Sequence, residues 1–275
     1  MTTRSSKRRS LSELAALVSD GDSITLGGSF LHRGPNALVR ELIRQARRDL
    51  EIVKQSPGYD IDLLCRAGVA TRAKTGIVAM EGNYGLAPHY RRAIESGALA
   101  LEEHACATLT AGLRAAAFGV PFQPCAGIDG SDLARLNGWV RLDDPYQPGR
   151  SAWVIPEIRP DVAVIHVNEV TPQGDARVTG TTHWDRIMTR AAGKVLVVAE
   201  REVPVAEFQA RPELTLVPHF LVEAYAVVPG GAWPGSCWPE DEVDYPAIDA
   251  YLEEGEAALQ RHLAAAPETK EATRA

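Results

Sequence analysis

The stretch Gly27-Gly28-Ser29-Phe30-Leu31-His32-Arg33-Gly34-Pro35 follows the short apolar run Ser23–Leu26 and precedes a helical pattern. A glycine pair at the C-terminal end of a strand lets a ligand approach the backbone closely. The helix N-terminus that follows offers unpaired N–H groups and the positive end of a dipole. An acyl, carboxylate or phosphate oxygen could be held there, with Arg33 as a nearby cation or as half of an ordinary loop salt bridge. The other reading of the glycines is relief of crowding in a tight turn, and spacing alone leaves both open. The spacing is not G-x-G-x-x-G and no Walker loop is present, which excludes those dinucleotide and nucleotide sites.

Two carboxylates also end strand-like runs. Glu81 precedes Gly82 and Gly85, and could face a cleft as a general base or orient a partner group; otherwise it is a helix-entry or interface carboxylate. Glu103 ends the run Leu99–Leu101 beside Glu102, and adjacent carboxylates point to one solvated and one hydrogen-bonded residue. His104 and Cys106 share a face only if the strand continues through them. His166 ends a buried run, His183 lies in a capping turn, His89 in a helix, and no pair of histidines has metal-ligand spacing, so no metal is expected. Cys65, Cys106, Cys125 and Cys237 form no CxxC pair and read as reduced packing residues. Trp233 and Trp238 bracket Cys237 in a Pro- and Gly-rich loop that suits either a contact with another chain or local packing.

The elements that must position these residues alternate. Ser10 and Glu13 have capping-box spacing and open a helix to about Val18. The strand 23–26 is followed by a helix with Pro35 at its first position and Leu38, Val39, Leu42, Ile43 and Ala46 on one stripe, leaving Arg40, Glu41 and Arg44 outside. Further strands are expected at 50–53, 76–80, 99–101, 161–167, 194–199 and 224–228. Helices are expected at 61–65, 90–96, 105–118, 182–193 and 245–265, with 126–150 as loop. Continuous apolar strands separated by helices predict an α/β fold with a mostly parallel sheet flanked by helices. We expect a flexible basic N-terminus over 1–9, a single domain over 10–265 and a flexible tail over 266–275.

The 275 residues carry 29 Lys plus Arg and 36 Asp plus Glu, a net charge of -7, which speaks against a nucleic-acid partner. No run approaches the ~18 apolar residues that span a bilayer. The basic start is followed by Glu13 and no small-residue cleavage pattern, so a cytoplasmic protein with no membrane partner is expected.

Asp20-Gly21, the strand, Gly27-Gly28 and Pro35 resemble the first signature of the α (alpha) subunit of class I (family I) coenzyme A transferases. Ser29 stands where an aromatic is usual. Arg33 stands where Gly or Asn is usual, and this resembles the branch of the glutaconate CoA-transferase α subunit, which includes a ring-opening CoA-ester hydrolase. Residues 81–97, Glu102-Glu103, 113–124, 160–166, Gly174, Gly180, Asp185, Ala191-Ala192, Glu200 and a worn form of a Tyr-Gly-Ala-His-Pro stretch at Pro229–Pro234 are similar in the same order, covering roughly 11–255.

The resemblance implies a CoA-transferase/NagB-like fold and covalent catalysis through a glutamate, passing through a mixed anhydride and a glutamyl-CoA thioester. In two-chain members that glutamate lies on the β subunit. The implied partners are therefore an acyl-CoA, a small carboxylic acid and the β subunit of the same enzyme. No cofactor is expected to be bound; the CoA thioester is substrate. Gly27, Gly28, Ser29 and Phe30 would then sit against the acyl group, the loop offering backbone N–H groups to an oxyanion, and Arg33 would pair with a substrate carboxylate. Glu103 and Glu81 are the catalytic candidates within this chain. Two rival readings remain. One is a CoA-thioester hydrolase or ring-opening enzyme on the same scaffold, in which Glu103 would matter more because water must be activated. The other is a non-catalytic ligand-binding relative.

Overall fold

The computed structural model of the chain describes residues 6–264. Eleven strands occur among them: β1 Ser23–Leu26, β2 Leu50–Lys54, β3 Ala70–Thr75, β4 Ala100–Glu103, β5 Phe122–Cys125, β6 Val140–Asp143, β7 Ser151–Pro156, β8 Val162–Val170, β9 Ala176–Arg177, β10 Lys194–Glu202 and β11 Val222–Val227. The main sheet runs β11-β10-β8-β1-β2-β3-β4, and every neighbouring pair on that path is parallel. β9 adds an antiparallel ribbon to β8.

Parallel strands need crossovers, and helices on both faces supply them. Successive side chains of β2 show the division: Ile52 packs with Leu38, Leu42 and Leu63 on one face, whereas Val53 packs with Leu109, Leu113 and Met188 on the other. Helix Asn36–Arg44 thus covers the first face, and helices Cys106–Phe118 and Asp185–Ala191 the second. Chain order reverses at β1, which has β2 on one side and β8 on the other. In open α/β sheets the crevice beyond the strand C-termini at such a reversal is where ligands bind, and residues 27–35 leave β1 there.

Ser10 and Glu13 form the expected capping box. The strand expected at 76–80 lies earlier, at β3, where Ala70, Ala73 and Thr75 are buried despite the Arg and Lys between them, while Gly76–Met80 forms only an isolated bridge at Ala79. The segment expected as loop at 126–150 contains helix Leu133–Leu136 and strand β6. With β5 and β7, β6 makes a separate antiparallel sheet. The closing helix is two, Tyr245–Leu252 and Glu256–Ala264, divided before Gly255. Arg40, expected outside, is buried: its Nη1 donates to the Trp233 carbonyl at 2.6 Å and its guanidinium lies 4.9 Å over the indole. Part of the segment expected as flexible terminus is ordered, since the Arg9 amide donates to the Tyr225 carbonyl and the Tyr225 amide to the Lys7 carbonyl, beside β11. The expected tail 266–275 and residues 1–5 lie outside the described residues. No helix among the described residues is long and apolar enough to cross a membrane.

Asp62 ties three elements together. Its Oδ1 accepts the His89 and Tyr90 amides, both at 2.8 Å, and so caps helix Pro88–Glu95. Its Oδ2 accepts the Tyr251 hydroxyl at 2.6 Å. Burial outweighs these bonds and pushes the carboxyl up to about 6. The folded state therefore holds this proton more tightly than the unfolded chain, and Asp62's contribution to stability, full at low pH, is lost as pH rises toward neutrality. Asp62→Asn removes that dependence. From about pH 4 to about pH 7, its unfolding free energy, measured with urea, should gain about 2–3 kcal/mol relative to wild type.

Candidate functional site

The turn after β1 is held from several sides. Gly28 has φ 73°, and a Cβ there would lie 2.2 Å from the His32 carbonyl oxygen, so only glycine fits. The Ser29 amide donates to the His32 carbonyl at 2.9 Å and the His32 amide returns to the Ser29 carbonyl at 2.8 Å. Phe30 and Arg33 also take positive φ, 48° and 53°. Such conformations persist only where the surroundings enforce them. One enforcing group is Lys54 at the end of β2, fully buried, whose Nζ donates to the Gly27 carbonyl at 2.8 Å and pairs with Asp60 at 2.5 Å.

The four amides of this turn already have partners inside the chain. Gly27 donates to the Val164 carbonyl at 2.8 Å, Gly28 to Asp185 Oδ1 at 3.0 Å, Ser29 to His32, and Phe30 to the Ser56 carbonyl at 2.8 Å. The expectation that these N–H groups face an oxyanion is therefore corrected: they fix the turn. Gly27 and Gly28 are buried, and Ser29 and Phe30 are half-buried.

Arg33 is also turned inward. Its side chain is 4% exposed and that of Asp185 0%, with Nη1 2.7 Å from Asp185 Oδ2. Nη1 also donates to the His166 carbonyl at 2.8 Å and Nη2 to the Thr181 carbonyl at 2.9 Å. The sequence leaves Arg33 either a substrate carboxylate or an ordinary loop salt bridge as partner; the pairing found is a salt bridge, buried rather than at the surface, with Asp185, which lies 152 residues away and begins helix Asp185–Ala191. A carboxylate at a helix N-terminus is further favoured by the dipole.

A cavity of about 310 Å3 opens beside this turn, lined by His32, Arg33, Thr179, Gly180, Thr181, His183, Ser236 and Trp238. Burial, with the nearby Arg33 charge, pushes His183 down to about 4, so it is neutral near pH 7. Ser236 stands next to His32 because the two form a parallel bridge: the Ser236 amide donates to the Leu31 carbonyl at 2.8 Å, and the Arg33 amide to the Ser236 carbonyl at 2.7 Å. Ser236 Oγ is 2.5 Å from His32 Nδ1, and His32 Nε2 is 2.8 Å from Glu81 Oε1. Glu81 itself has φ 63°. The sequence singles out Glu81 but gives no signal for Ser236 and His32, which are 204 residues apart in the chain.

Glu103 and Glu81 are not joined. Glu103 is exposed at the end of β4, its carbonyl accepting from Asn137 Nδ2 at 2.9 Å. Its neighbour Glu102 is paired with Lys74 and with His104 Nε2 at 2.9 Å. Hydrogen bonding from His104 and then Lys74 pulls Glu102 down to about 2 against the opposing effect of burial. His104 Nδ1 lies 3.1 Å from Thr108 Oγ1, so His104 does not serve Cys106, whose thiol faces the Gln55 carbonyl at 3.8 Å. The larger cavity, about 610 Å3, lies by Glu102, Lys74, His104 and Trp139, toward the small sheet. His166, Glu200 and Cys237 come together, buried, with ligand-type atoms within 4.8 Å of one another. His166 Nε2 and Glu200 Oε1 are 2.6 Å apart, a direct hydrogen bond rather than the wider spacing of two ligands on one ion. Burial raises the Cys237 thiol, which disfavours its thiolate.

A family model described as coenzyme A transferase matches residues 8–227. The α subunit of glutaconate CoA-transferase from Acidaminococcus fermentans is 29% identical over 254 residues, covering 86% of this chain and 79% of that one. The crystal structure of glutaconate coenzyme A-transferase from the same organism superposes with a TM-score of 0.83 at 28% identity, over 90% of this chain and 83% of that one. The α subunit of 3-oxoadipate CoA-transferase from Pseudomonas knackmussii is 32% identical over 222 residues, 79% of this chain and 77% of its own. The cholesterol ring-cleaving hydrolase IpdA subunit of Rhodococcus jostii is 32% identical over 241 residues, 84% and 81% respectively.

The Arg33–Asp185 pair gives a direct test of this architecture. Arg33→Ala leaves a buried, unpaired carboxylate and should cost about 3–5 kcal/mol of unfolding free energy in urea titrations. Adding Asp185→Ala should recover part of that loss, and the double-mutant cycle should return a coupling of about 1–3 kcal/mol.

Proposed function

The chain belongs to the coenzyme A transferase family, and from that premise we propose that it is the α subunit of a heteromeric acyl-CoA:carboxylate CoA-transferase whose nucleophilic glutamate is carried by a β subunit. The observation that carries this reading is the match over residues 8–227 together with relatives that are themselves α subunits, each aligned over more than three quarters of both chains. The site geometry supports it. Among the described carboxylates around the turn, Asp185 is consumed by Arg33 and Gly28, and Glu81 is engaged with His32. In this reading the nucleophilic carboxylate is therefore left to the β subunit.

The partner glutamate attacks the thioester carbonyl. A C–O bond forms, the C–S bond breaks and CoA leaves as thiolate. The thiolate then attacks the glutamyl carbonyl of the anhydride, which gives the glutamyl-CoA thioester and frees the first acid. A second acid takes CoA by the reverse steps. In this reading Ser29 and Phe30 contact the acyl group, Gly27 and Gly28 allow the turn that carries them, and Arg33 is a positioning residue. Glu103, exposed at the end of β4 and outside the lining of the cavity beside the turn, has no assigned step in this reading. A cytoplasmic location goes together with four unpaired cysteines.

Co-expression with its β subunit should give CoA exchange with parallel double-reciprocal plots, and hydroxylamine should trap a glutamyl-CoA thioester in the β chain. Full activity from this chain alone, or intersecting sequential kinetics, would overturn the assignment.

A further inference from the structure

The contacts around His32 are those of a proton relay. We propose that Ser236, His32 and Glu81 form a nucleophilic site through which this chain itself takes an acyl group from a thioester and passes it to water. The inference shares its acyl-CoA substrate with the transferase reading but needs no glutamate from a partner.

The arrangement is ordered from the cavity outward. Ser236 and His32 line the cavity of about 310 Å3, and Glu81 does not. With the His32 proton on Nε2, donated to Glu81 at 2.8 Å, Nδ1 is left to accept from the Ser236 hydroxyl at 2.5 Å. A structural bridge between a serine and a histidine would need no carboxylate behind the imidazole. A base that must become transiently cationic does.

The relay is fixed by backbone. The bridge between residues 32 and 236 sets the side chains next to each other. Gly235 makes the approach possible, because a Cβ there would lie 2.3 Å from the Leu31 carbonyl oxygen. The left-handed backbone of Glu81, φ 63°, is a conformation a non-glycine residue keeps only where its surroundings hold it, and such residues concentrate at functional sites.

The chemistry balances with water as the only added reactant. Ser236 Oγ bonds to the thioester carbonyl carbon as its proton passes to His32 Nδ1. The C–S bond then breaks and the proton leaves with the CoA sulfur. Water attacks the seryl ester, gives a proton to His32, and that proton returns to Ser236 Oγ as the acid departs. Thr179 and Thr181 line the same cavity and bring hydroxyl donors for the carbonyl oxygen. A volume near the lower end of ligand pockets, which run from roughly 300 Å3 upward, suits a short acyl group with the bulk of CoA outside.

The test uses the full chain alone and then with its β subunit. Treated with diisopropyl fluorophosphate and digested, the wild-type chain should carry the adduct on Ser236, read by peptide mass spectrometry with no variant needed. The chain should release CoA from butyryl-CoA, and Ser236→Ala and His32→Gln should each abolish both signals while keeping the wild-type circular dichroism. Glu81 acts through His32, so Glu81→Gln should lower the inactivation rate constant at least about tenfold without weakening reversible binding of the probe, and Glu81→Asp should restore part of it. An adduct on a different serine, no adduct at all, or unchanged butyryl-CoA hydrolysis by Ser236→Ala would overturn the proposal. Trapping of glutamyl-CoA in the β chain reads the transferase assignment separately, so the two can fail independently.

Discussion

The buried ion pair between Arg33 and Asp185 is the contact on which the geometry of the site depends. Asp185 divides its two oxygens, one to the Gly28 amide and one to Arg33. Arg33 divides its nitrogens among Asp185, the His166 carbonyl on β8 and the Thr181 carbonyl. One guanidinium thus joins the turn after β1, the neighbouring strand and the segment that enters the next helix. Taking two charges out of water is costly, and such a pair is poor evidence of net stability. Its effect is to select one conformation: the turn cannot relax without leaving a charge unpaired in the interior.

That constraint sits where the sheet order reverses, with β1 central. The turn residues spend their own amides on Val164, Asp185, His32 and Ser56. What they give to the cavity is position, since His32 and Arg33 emerge from the turn at fixed angles onto its wall. The transferase assignment and the serine relay both rest on this rigidity, one for a wall shared with a second polypeptide, the other for a nucleophile within the chain.

Much of this is legible from local pattern. The capping box at Ser10 and Glu13 and the continuous apolar runs of β8 and β10 depend on neighbours a few residues away, and each forms; Pro35, expected at the first helical position, stands one residue earlier, as the N-cap of the helix from Asn36. The ordered segments from Gly27 to Pro234 also suffice to indicate the family. What local pattern cannot give are partners far along the chain. Nothing near Arg33 in sequence says that Asp185 will meet it, nor does anything near Ser236 point to His32. The same holds for Arg40, whose helical position reads as solvent-facing until Trp233 packs over it. β3 escapes the pattern because Arg72 and Lys74 stand between its buried residues, and β6 because six glycines and prolines surround it in the 126–150 stretch.

The main sheet ends in two strands with an open side, and they are treated differently. At β11 the backbone of Lys7 to Arg9 lies alongside Tyr225 and takes up hydrogen-bonding groups that would otherwise be available to another molecule. At the far side β4 is only four residues long and finishes on Glu102 and Glu103. A short, negatively charged rim and a rim already occupied by a cationic stretch are both poor templates for stray strand addition. The open sheet is thereby kept from polymerising through its margins.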